Sequence, residues 1–337
     1  MSLPAMRVVR PRTVEDAVRV LAAHGPEAMI LAGGTDVVPN LQMRLFAPRV
    51  LLDIKGIGSL RGVVRQPDET IRVGALTTLT QLLATESLRL RYPVISSAVR
   101  SIAGPLQRNM GTLGGNLCLE TRCRWYNQSD FWRKSLGGCL KKEGTICHVA
   151  PGGDRCWAVW SGDCAPALLT LDAEIEIAGP NGNRRLALSS FYRNDGINRI
   201  ALGGDELLAA VVLPPRTAGW RGVYHKLRIR NSIDYPLAGV AVVMNVDEQG
   251  VCRDARVALG AVNPAPVLVK QAADWLIGKK YSPELVERLV HAAIQTGKPL
   301  TTSASSPVYR REMLRVFTRR ALEEMWGMRP RTPNGND

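Results

Sequence analysis

The sequence predicts an α+β protein of two domains, with a long irregular loop inserted into the first. Short apolar segments alternate with capped helices up to about residue 215, and the remainder places three strands before three helices. Residues 122–155 show neither a helical nor an alternating apolar period. We therefore expect a first domain at 1–215, a second domain at 220–326 and a tail at 327–337.

Composition narrows the class of protein. Of the 337 residues 45% are hydrophobic, yet no apolar run approaches the ~18 residues of a membrane span, so we expect no membrane insertion. The start MSLPAMRVVRPRT lacks an apolar segment after its basic residues, which favours the cytoplasm. The net charge is +14, but its lysines and arginines are scattered without a recognition motif. We therefore expect no nucleic-acid partner. An acidic partner protein or an anionic ligand explains the positive charge at least as well as a nucleic acid does.

A glycine turn follows the first buried strand, predicted at Ala28–Leu31. Gly33 and Gly34 allow positive φ and leave backbone amides pointing outward, which suits phosphate oxygens. Thr35 and Asp36 are expected to cap a helix that begins near Val37. On its own this pattern is also that of an ordinary tight turn.

A second glycine turn, Gly111-Thr112-Leu113-Gly114-Gly115-Asn116, lies later in the same domain. Neither turn has the G-x-G-x-x-G or G-x4-G-K-[ST] form, which disfavours the common nucleotide-binding loops. Two such turns still favour an extended ligand that carries a pyrophosphate. The predicted elements around the turns are a helix at Val14–Ala23 capped by Thr13 with Asp16, strands at Val50–Ile54 and Ile71–Ala75, a helix from Leu79 to about Glu86, a helix between Pro93 and Arg100, and folded structure at Cys164–Ile177.

Four cysteines, Cys123, Cys139, Cys147 and Cys156, punctuate the irregular loop with the spacing C-x15-C-x7-C-x8-C. The short C-x2–4-C units of zinc sites and the compact spacings of ferredoxins are both missing. The odd total of seven cysteines argues against a disulfide framework. An iron–sulfur cluster, a structural zinc and unligated thiols remain open. Aromatic residues crowd the same region and could shield a cluster or dock the loop: Trp125, Tyr126, Phe131, Trp132, Trp157 and Trp160.

A strand is predicted at Leu207–Leu213, and Pro214-Pro215 ends it. The second half of the chain begins after these prolines. Strands are predicted at Tyr224–Ile229, Leu237–Val246 and Val251–Ala261. Helices are predicted at about 267–277, at 283–296 with Ser282 as cap, and at about 307–326.

Four segments resemble the flavin-binding subunit of the xanthine dehydrogenase family: LAGGTD (31–36), RNMGTLGGN (108–116), SGDCAPALLTLDA (161–173) and YHKLRIRNSIDYPLAGVAV (224–242). The resemblance covers nearly the whole chain. Most such subunits lack a cysteine loop. This loop, with RCRWYNQSDFW (122–132) and CLKKEGTICH (139–148), is similar to that of the β-subunit family of 4-hydroxybenzoyl-CoA reductases, where it carries a [4Fe–4S] cluster.

The resemblance implies a PCMH-type FAD-binding domain of the xanthine dehydrogenase/CO dehydrogenase flavoprotein type, with subdomains at about 1–56 and 57–215. It also implies an inserted Fe–S loop at about 122–158 and a C-terminal α+β domain. The implied FAD-binding residues are Ile30, Leu31, Ala32, Gly33, Gly34, Thr35, Asp36, Val37, Thr112, Gly115, Asn116, Leu119, Asp163 and Lys226. Leu119 would contact the flavin through its backbone, Asp163 would hydrogen-bond the flavin or ribityl region, and Lys226 would lie near the isoalloxazine. The plain alternatives are a loop cap for Asp163 and a solvated strand lysine for Lys226.

The resemblance also implies partners: a large molybdenum-cofactor subunit and a small [2Fe–2S] subunit in a dimer of heterotrimers, with reduced ferredoxin as electron donor. No catalytic acid, base or nucleophile is expected in this chain. Six basic loop residues are expected to attract an acidic ferredoxin: Arg122, Arg124, Arg133, Lys134, Lys141 and Lys142. The alternatives are the flavin subunit of a molybdenum aldehyde or xanthine-type oxidoreductase, and a non-catalytic redox sensor or nucleic-acid-binding protein. Substrate identity cannot be read from the sequence.

Overall fold

The computed structural model describes residues 3–217 and 219–330. Its strands are β1 (Arg7–Val9), β2 (Ala28–Leu31), β3 (Val50–Asp53), β4 (Val63–Arg65), β5 (Ile71–Gly74), β6 (Glu174–Gly179), β7 (Gly182–Ala187), β8 (Leu207–Leu213), β9 (Arg221–Leu227), β10 (Ala238–Val246), β11 (Cys252–Gly260) and β12 (Val267–Leu268). Its helices are α1 (Val14–His24), α2 (Val37–Gln42), α3 (Leu79–Ala84), α4 (Glu86–Arg91), α5 (Pro93–Ser101), α6 (Pro105–Met110), α7 (Leu113–Leu117), α8 (Asp130–Ser135), α9 (Cys164–Leu169), α10 (Leu188–Phe191), α11 (Ala272–Leu276), α12 (Pro283–Thr296) and α13 (Pro307–Trp326).

The N-terminal sheet is parallel, with strand order β1-β3-β2. Helix α1 packs on it through a face that includes Ala17, Val18 and Leu21. The hydroxyl of Thr13 accepts a hydrogen bond from the backbone N–H of Asp16 at 3.1 Å, as the predicted cap requires. The Asp16 carboxylate pairs with Arg19, so the structure shows no reciprocal half of a capping box.

The second sheet is antiparallel, with strand order β4-β5-β8-β6-β7. Its central strand β8, Leu207–Leu213, is buried along its whole length, which matches its continuous apolar run. Helix α3 begins with a complete capping box between Thr78 and Gln81. The second glycine turn is only partly as predicted, since Leu113–Leu117 forms helix α7 and only Gly111 and Thr112 connect it to α6. Helix α6 contacts α3, and α7 contacts β8 of this sheet.

The third sheet is antiparallel, with strand order β12-β11-β10-β9. Helix α13 packs against β9 and β10 on one side, and α5 and α9 contact the same sheet from the first half of the chain. Tyr224, Ala241 and Val243 therefore belong to the same apolar core as residues of α5 and α9. The two halves of the chain share a core across this sheet.

Several predicted elements differ from the structure. The helix predicted at about 267–277 is wrong, because Val267–Leu268 pairs with β11 and only Ala272–Leu276 is helical. The cysteine loop is not wholly irregular, since it contains α8, whose N-cap is Ser129. Paired backbone hydrogen bonds between Arg122 and Val159 close the loop at its base.

Two further predictions concern the chain ends and the membrane. Most of the predicted tail, residues 331–337, lies outside the described residues. Across 3–217 and 219–330, none of the helices has the length and apolar character needed to cross a bilayer.

Candidate cofactor site

A cavity of about 740 Å³ lies between the two glycine turns. It is lined by almost all of the residues predicted to bind FAD: Ile30, Ala32, Gly33, Gly34, Thr35, Asp36, Val37, Thr112, Gly115, Asn116, Leu119, Asp163 and Lys226. Leu31, which lies between Ile30 and Ala32 at the end of β2, is not among the lining residues. The structure thus brings the other predicted residues together around one cavity.

Glycine is required at the two positions of the first turn for different physical reasons. Gly34 has φ +77°, a left-handed conformation that side chains disfavour. At Gly33 the constraint is space, because an added Cβ would lie 2.0 Å from the carbonyl oxygen of Met110. Met110 immediately precedes Gly111 of the second turn, so the backbones of the two turns are in direct contact.

Asp36 does not cap α2, although the helix begins at Val37 as predicted. Its carboxylate forms an ion pair with Arg122 and accepts hydrogen bonds from the Tyr235 hydroxyl at 2.6 Å and from Asn40 Nδ2 at 2.9 Å. Arg122 donates to the Tyr235 hydroxyl at 2.8 Å, and its guanidinium lies 4.3 Å from the centroid of that ring. We call Asp36, Arg122 and Tyr235 the clasp, since they join the first turn, the base of the cysteine loop and the segment after β9.

Asp163 and Lys226 form a buried ion pair, 3.0 Å between Oδ2 and Nζ. Asp163 also accepts from the Tyr224 hydroxyl at 2.8 Å, and Lys226 donates to the backbone oxygen of Ser101 at 3.0 Å. Burial raises the pKa of Asp163 and lowers that of Lys226, and the ion pair opposes both shifts. Lys226 is therefore not a solvated strand lysine, and the Asp163 side chain makes no capping hydrogen bond to helix α9.

Leu119 lies on the wall of the cavity, next to Arg199, a residue that the sequence analysis missed. The Arg199 guanidinium donates to the backbone oxygens of Leu119 and Cys118, both at 3.1 Å. Tyr224 and Tyr235 were also missed as individual residues, although both lie within the segment 224–242 that carries the resemblance. No local pattern distinguishes Arg199 from the other scattered arginines.

The four loop cysteines line a second, smaller cavity, together with Trp125, Tyr126 and Lys141. All four thiols are buried, and none forms a disulfide across the described residues. The cavity has a volume of about 20 Å³, about enough for one water molecule, so a larger group would displace these side chains. In the described part of the chain, no group of three or more His, Cys, Asp or Glu side chains is arranged around a single metal ion.

The donors around the sulfur atoms suit an anionic group. The backbone N–H of Ala158 donates to Cys156 Sγ at 3.4 Å, and the backbone N–H groups of Trp125 and Tyr126 act to lower the pKa of Cys123. Trp125 Nε1 is buried and has no hydrogen-bond partner among the described residues. Burial raises the pKa of the Cys123 and Cys156 thiols to about 11, so they are neutral at pH 7 unless bound positive charge compensates the thiolates.

The loop surface corrects two expectations. The side chains of Arg133 and Lys141 are only 2% and 7% exposed and therefore cannot attract a partner as exposed charges. Arg122 is held in the clasp, which leaves Arg124 and Lys134 as the exposed basic residues of the six. Among the aromatic residues, Trp125 and Tyr126 line the cysteine cavity, whereas Phe131 is 84% exposed and shields nothing.

Sequence comparison identifies both halves of the chain. The profile of the FAD binding domain in molybdopterin dehydrogenase matches residues 4–216, and that of the CO dehydrogenase flavoprotein C-terminal domain matches residues 223–325. The fold and the large cavity therefore define an FAD-binding subunit of an oxidoreductase.

Relatives support the same class along the whole chain. The carbon monoxide dehydrogenase medium chain of Hydrogenophaga pseudoflava is 28% identical over 324 residues, which are 96% of this chain and 98% of that one. The aldehyde oxidoreductase FAD-binding subunit PaoB of Escherichia coli K12 is 34% identical over 260 residues, 74% of this chain and 80% of that one. A structure of reconstituted CO dehydrogenase from Oligotropha carboxidovorans has a TM-score of 0.80 at 27% identity, covering 97% of this chain and 99% of that one. The chain belongs to the family of medium, FAD-binding subunits of xanthine and CO dehydrogenases.

Proposed function

We propose that this chain is the FAD and [4Fe–4S] subunit of a 4-hydroxybenzoyl-CoA reductase. The observation that carries the proposal is the convergence of Cys123, Cys139, Cys147 and Cys156 on one buried cavity beside a large cavity with two glycine turns. The proposed domains are 1–215 for FAD, with the cysteine loop at about 122–158, and 220–326 for the C-terminal part. Membership in this family favours a subunit of an oxidoreductase over a non-catalytic redox sensor.

In the larger cavity, the two glycine turns would hold the pyrophosphate of FAD. The contact between Gly33 and Met110 fixes the spacing of the turns, and Gly34 supplies the positive φ of the first. Asp163, Lys226 and the backbone at Leu119 would lie toward the flavin ring. FAD, when bound, supplies chemistry that accepts and passes on electrons singly or in pairs.

In the smaller cavity, the four thiolates would hold the iron of a cubane cluster, one cysteine to each iron. A single ion needs all its thiolates within about 2.3 Å of one point, whereas a cluster takes ligands that are further apart. The Ala158 N–H that donates to Cys156 Sγ and the unpartnered Trp125 Nε1 are donors of the type that stabilises anionic sulfur. Such a cluster, when bound, supplies one-electron transfer.

The two proposed sites share a short segment of chain. Leu119, Glu120 and Arg122 line the larger cavity, and Cys123, the next residue, lines the smaller one. This proximity supports a role in which the chain carries electrons between a donor and a partner subunit. The described residues of this chain offer no acid, base or nucleophile that we assign to substrate chemistry.

The reaction proposed for the assembled enzyme is a reductive dehydroxylation. 4-Hydroxybenzoyl-CoA takes up two electrons and two protons, and benzoyl-CoA and water are the products. Substrate would bind on a large molybdenum-cofactor subunit, with a small [2Fe–2S] subunit between, in a dimer of heterotrimers. Reduced ferredoxin would supply the electrons, and the complex would be cytoplasmic.

A second candidate is the flavin subunit of a molybdenum aldehyde oxidoreductase, which the 34% identity to PaoB favours. The two candidates differ in the substrate of the assembled enzyme and in the direction of electron flow. Co-expression with the large subunit from the neighbouring gene, followed by assay of both reactions, separates them. Turnover of an aldehyde without reduction of the thioester would select the second candidate.

The cofactor proposal is tested on the full-length chain purified without oxygen. We expect about four irons per chain from a four-thiolate cubane, and non-covalent FAD. Cys139→Ser should remove or convert the cluster, because serine is a poorer ligand for iron, and should leave the flavin in place. Cys252→Ser is the matched control, since this cysteine is buried in β11 away from the loop. Zinc in place of iron, or unchanged iron in Cys139→Ser, contradicts the proposal.

A further inference from the structure

Lys141 lies on the wall of the cysteine cavity, and its side chain is only 7% exposed. Its ammonium donates to Glu120 Oε1 at 2.6 Å, to Thr121 Oγ1 at 2.5 Å and to the backbone oxygen of Gly196 at 2.5 Å. It also lies 5.0 Å from the centroid of the Tyr126 ring. An ammonium has three N–H donors, and all three are engaged, so the charge is held at one place.

Glu120, the ionic partner of Lys141, lines the larger cavity. Its carboxylate also lies 3.7 Å from the guanidinium of Arg199, another residue of that wall. The Lys141–Glu120 pair therefore spans the protein between the two cavities. The adjacent Lys142 differs, because its ammonium is more exposed and lies 3.5 Å from the exposed Glu143.

We infer that Lys141 sets the reduction potential of the iron–sulfur site, as a positioning residue that contacts no iron. The inference rests on the proposed cluster. A fixed positive charge in a water-poor wall stabilises the extra negative charge that such a site gains on reduction, because the low local dielectric strengthens the interaction. The charge of Glu120 opposes this effect and partly balances it.

Because Lys141 and Glu120 carry opposite charges, removing one or the other should shift the reduction potential in opposite directions. Lys141→Met removes the positive charge and leaves Glu120 with Arg199 as its nearest described cation, so the potential should become more negative. Glu120→Gln removes the negative charge and keeps Lys141 in place, so the potential should become less negative. A merely structural role for the pair would not predict opposite shifts.

The test is a redox titration of the full-length chain, purified without oxygen and followed by electron paramagnetic resonance, with iron and flavin counted in every sample. Lys141→Arg should keep a potential close to wild type, because it keeps the charge. Lys134→Met is the control for loss of an exposed loop charge, and its potential should also stay close to wild type. Opposite shifts in Lys141→Met and Glu120→Gln, each larger than any shift in the control, support the inference.

Other outcomes separate the failure of this inference from that of the proposed function. A wild-type cluster whose potential is unmoved in both variants, or moved in the same direction, overturns the role of Lys141 and leaves the cluster standing. A wild-type chain without an iron–sulfur signal overturns both. If Lys141→Met does not fold, Glu120→Gln alone decides, because an unshifted or more negative potential in that variant contradicts the inference.

Discussion

Gly33 and Met110 lie so close that a Cβ added to Gly33 would be 2.0 Å from the Met110 carbonyl oxygen and 2.7 Å from its carbon. This contact joins the first glycine turn to the residue that precedes the second. The large cavity lies between the two turns, so its width depends on the absence of a side chain at Gly33. Glycine is needed at position 33 because there is no space for a side chain, whereas at position 34 it is needed for the left-handed backbone conformation.

Gly33→Ala is expected to push the two turns apart. Backbone atoms surround the new Cβ and cannot move independently, so the variant should lose about 1–3 kcal/mol of stability and much of its flavin. Gly34→Ala should cost about 1 kcal/mol through strain at φ +77° and keep its flavin, because its nearest neighbours would be the side chains of Leu31 at 3.3 Å and Val38 at 3.5 Å. The Leu31 contact is tight, but the end of that side chain can shift. Flavin absorbance per chain and urea unfolding check both variants. Gly58→Ala is the control, with open space and no positive φ; equal flavin loss in all three contradicts the explanation.

The buried Asp163–Lys226 pair predicts non-additive variants. Asp163→Asn and Lys226→Met each leave one buried charge without its ionic partner, which should cost about 3–5 kcal/mol. The double variant removes both charges, and Asn at 163 can still accept from Tyr224, so most of the stability should return. We expect flavin content to stay low in the double variant, because both side chains line the cavity. Urea unfolding of the four proteins gives the coupling, and simple additivity would show that the two charges do not depend on each other.

The lowered pKa of Glu176 predicts how the stability of the protein changes with pH. Burial alone would raise its pKa, but hydrogen bonds from Arg72 at 2.7 Å and Arg185 at 2.9 Å outweigh burial and lower it. A lowered pKa in the folded state stabilises the protein above the unfolded value of about 4.3 and loses that effect as the pH falls through the folded value. Glu176→Gln should therefore be less stable than wild type by about 1 kcal/mol at pH 7, with the difference vanishing in acid. Thermal unfolding at pH 3 to 7 measures it, and a difference that does not shrink as the pH falls contradicts the assignment.

The sequence predicted the elements whose local signals are strong and complete. Leu207–Leu213, Pro283–Thr296 and Pro307–Trp326 have the predicted bounds, because a continuous apolar run or a Ser-Pro start defines them. β1 and β7 were not predicted, since β1 has three residues and β7 is an edge strand with mostly exposed side chains. Such strands form through their neighbours and leave little pattern in the chain itself.

The same contrast holds at the candidate site. The turn at Gly33-Gly34 was predicted, because positive φ and close backbone approach favour glycine. The second glycine cluster was predicted as a turn, but Gly114 and Gly115 lie in helix α7 and none of its glycines has a positive φ. The burial of the Lys141 side chain was not predicted, because Lys141 and Lys142 are adjacent and of the same residue type. They differ only in that Glu120 and Gly196 approach the ammonium of Lys141. Long-range contacts of this kind, including the one between Asp36 and Tyr235, have no local signature.

The clasp predicts that the cysteine loop and the flavin cavity are coupled through Arg122. Its guanidinium pairs with Asp36 of the first turn and donates to Tyr235, while its backbone closes the loop one residue before Cys123. Arg122→Met should cost about 1.5–3 kcal/mol of stability and weaken FAD binding, because the carboxylate of Asp36 loses a charged donor. Tyr235→Phe should cost less, since Arg122 still pairs with Asp36. A double-mutant cycle that combines Arg122→Met with Asp36→Asn should give a coupling free energy of about 0.5–3 kcal/mol for the Arg122–Asp36 interaction. Arg319→Met, which breaks an exposed pair with Glu287, is the matched control and should leave FAD affinity unchanged. Additive effects of Arg122→Met and Asp36→Asn on both stability and FAD affinity would show that the clasp transmits nothing between loop and cavity.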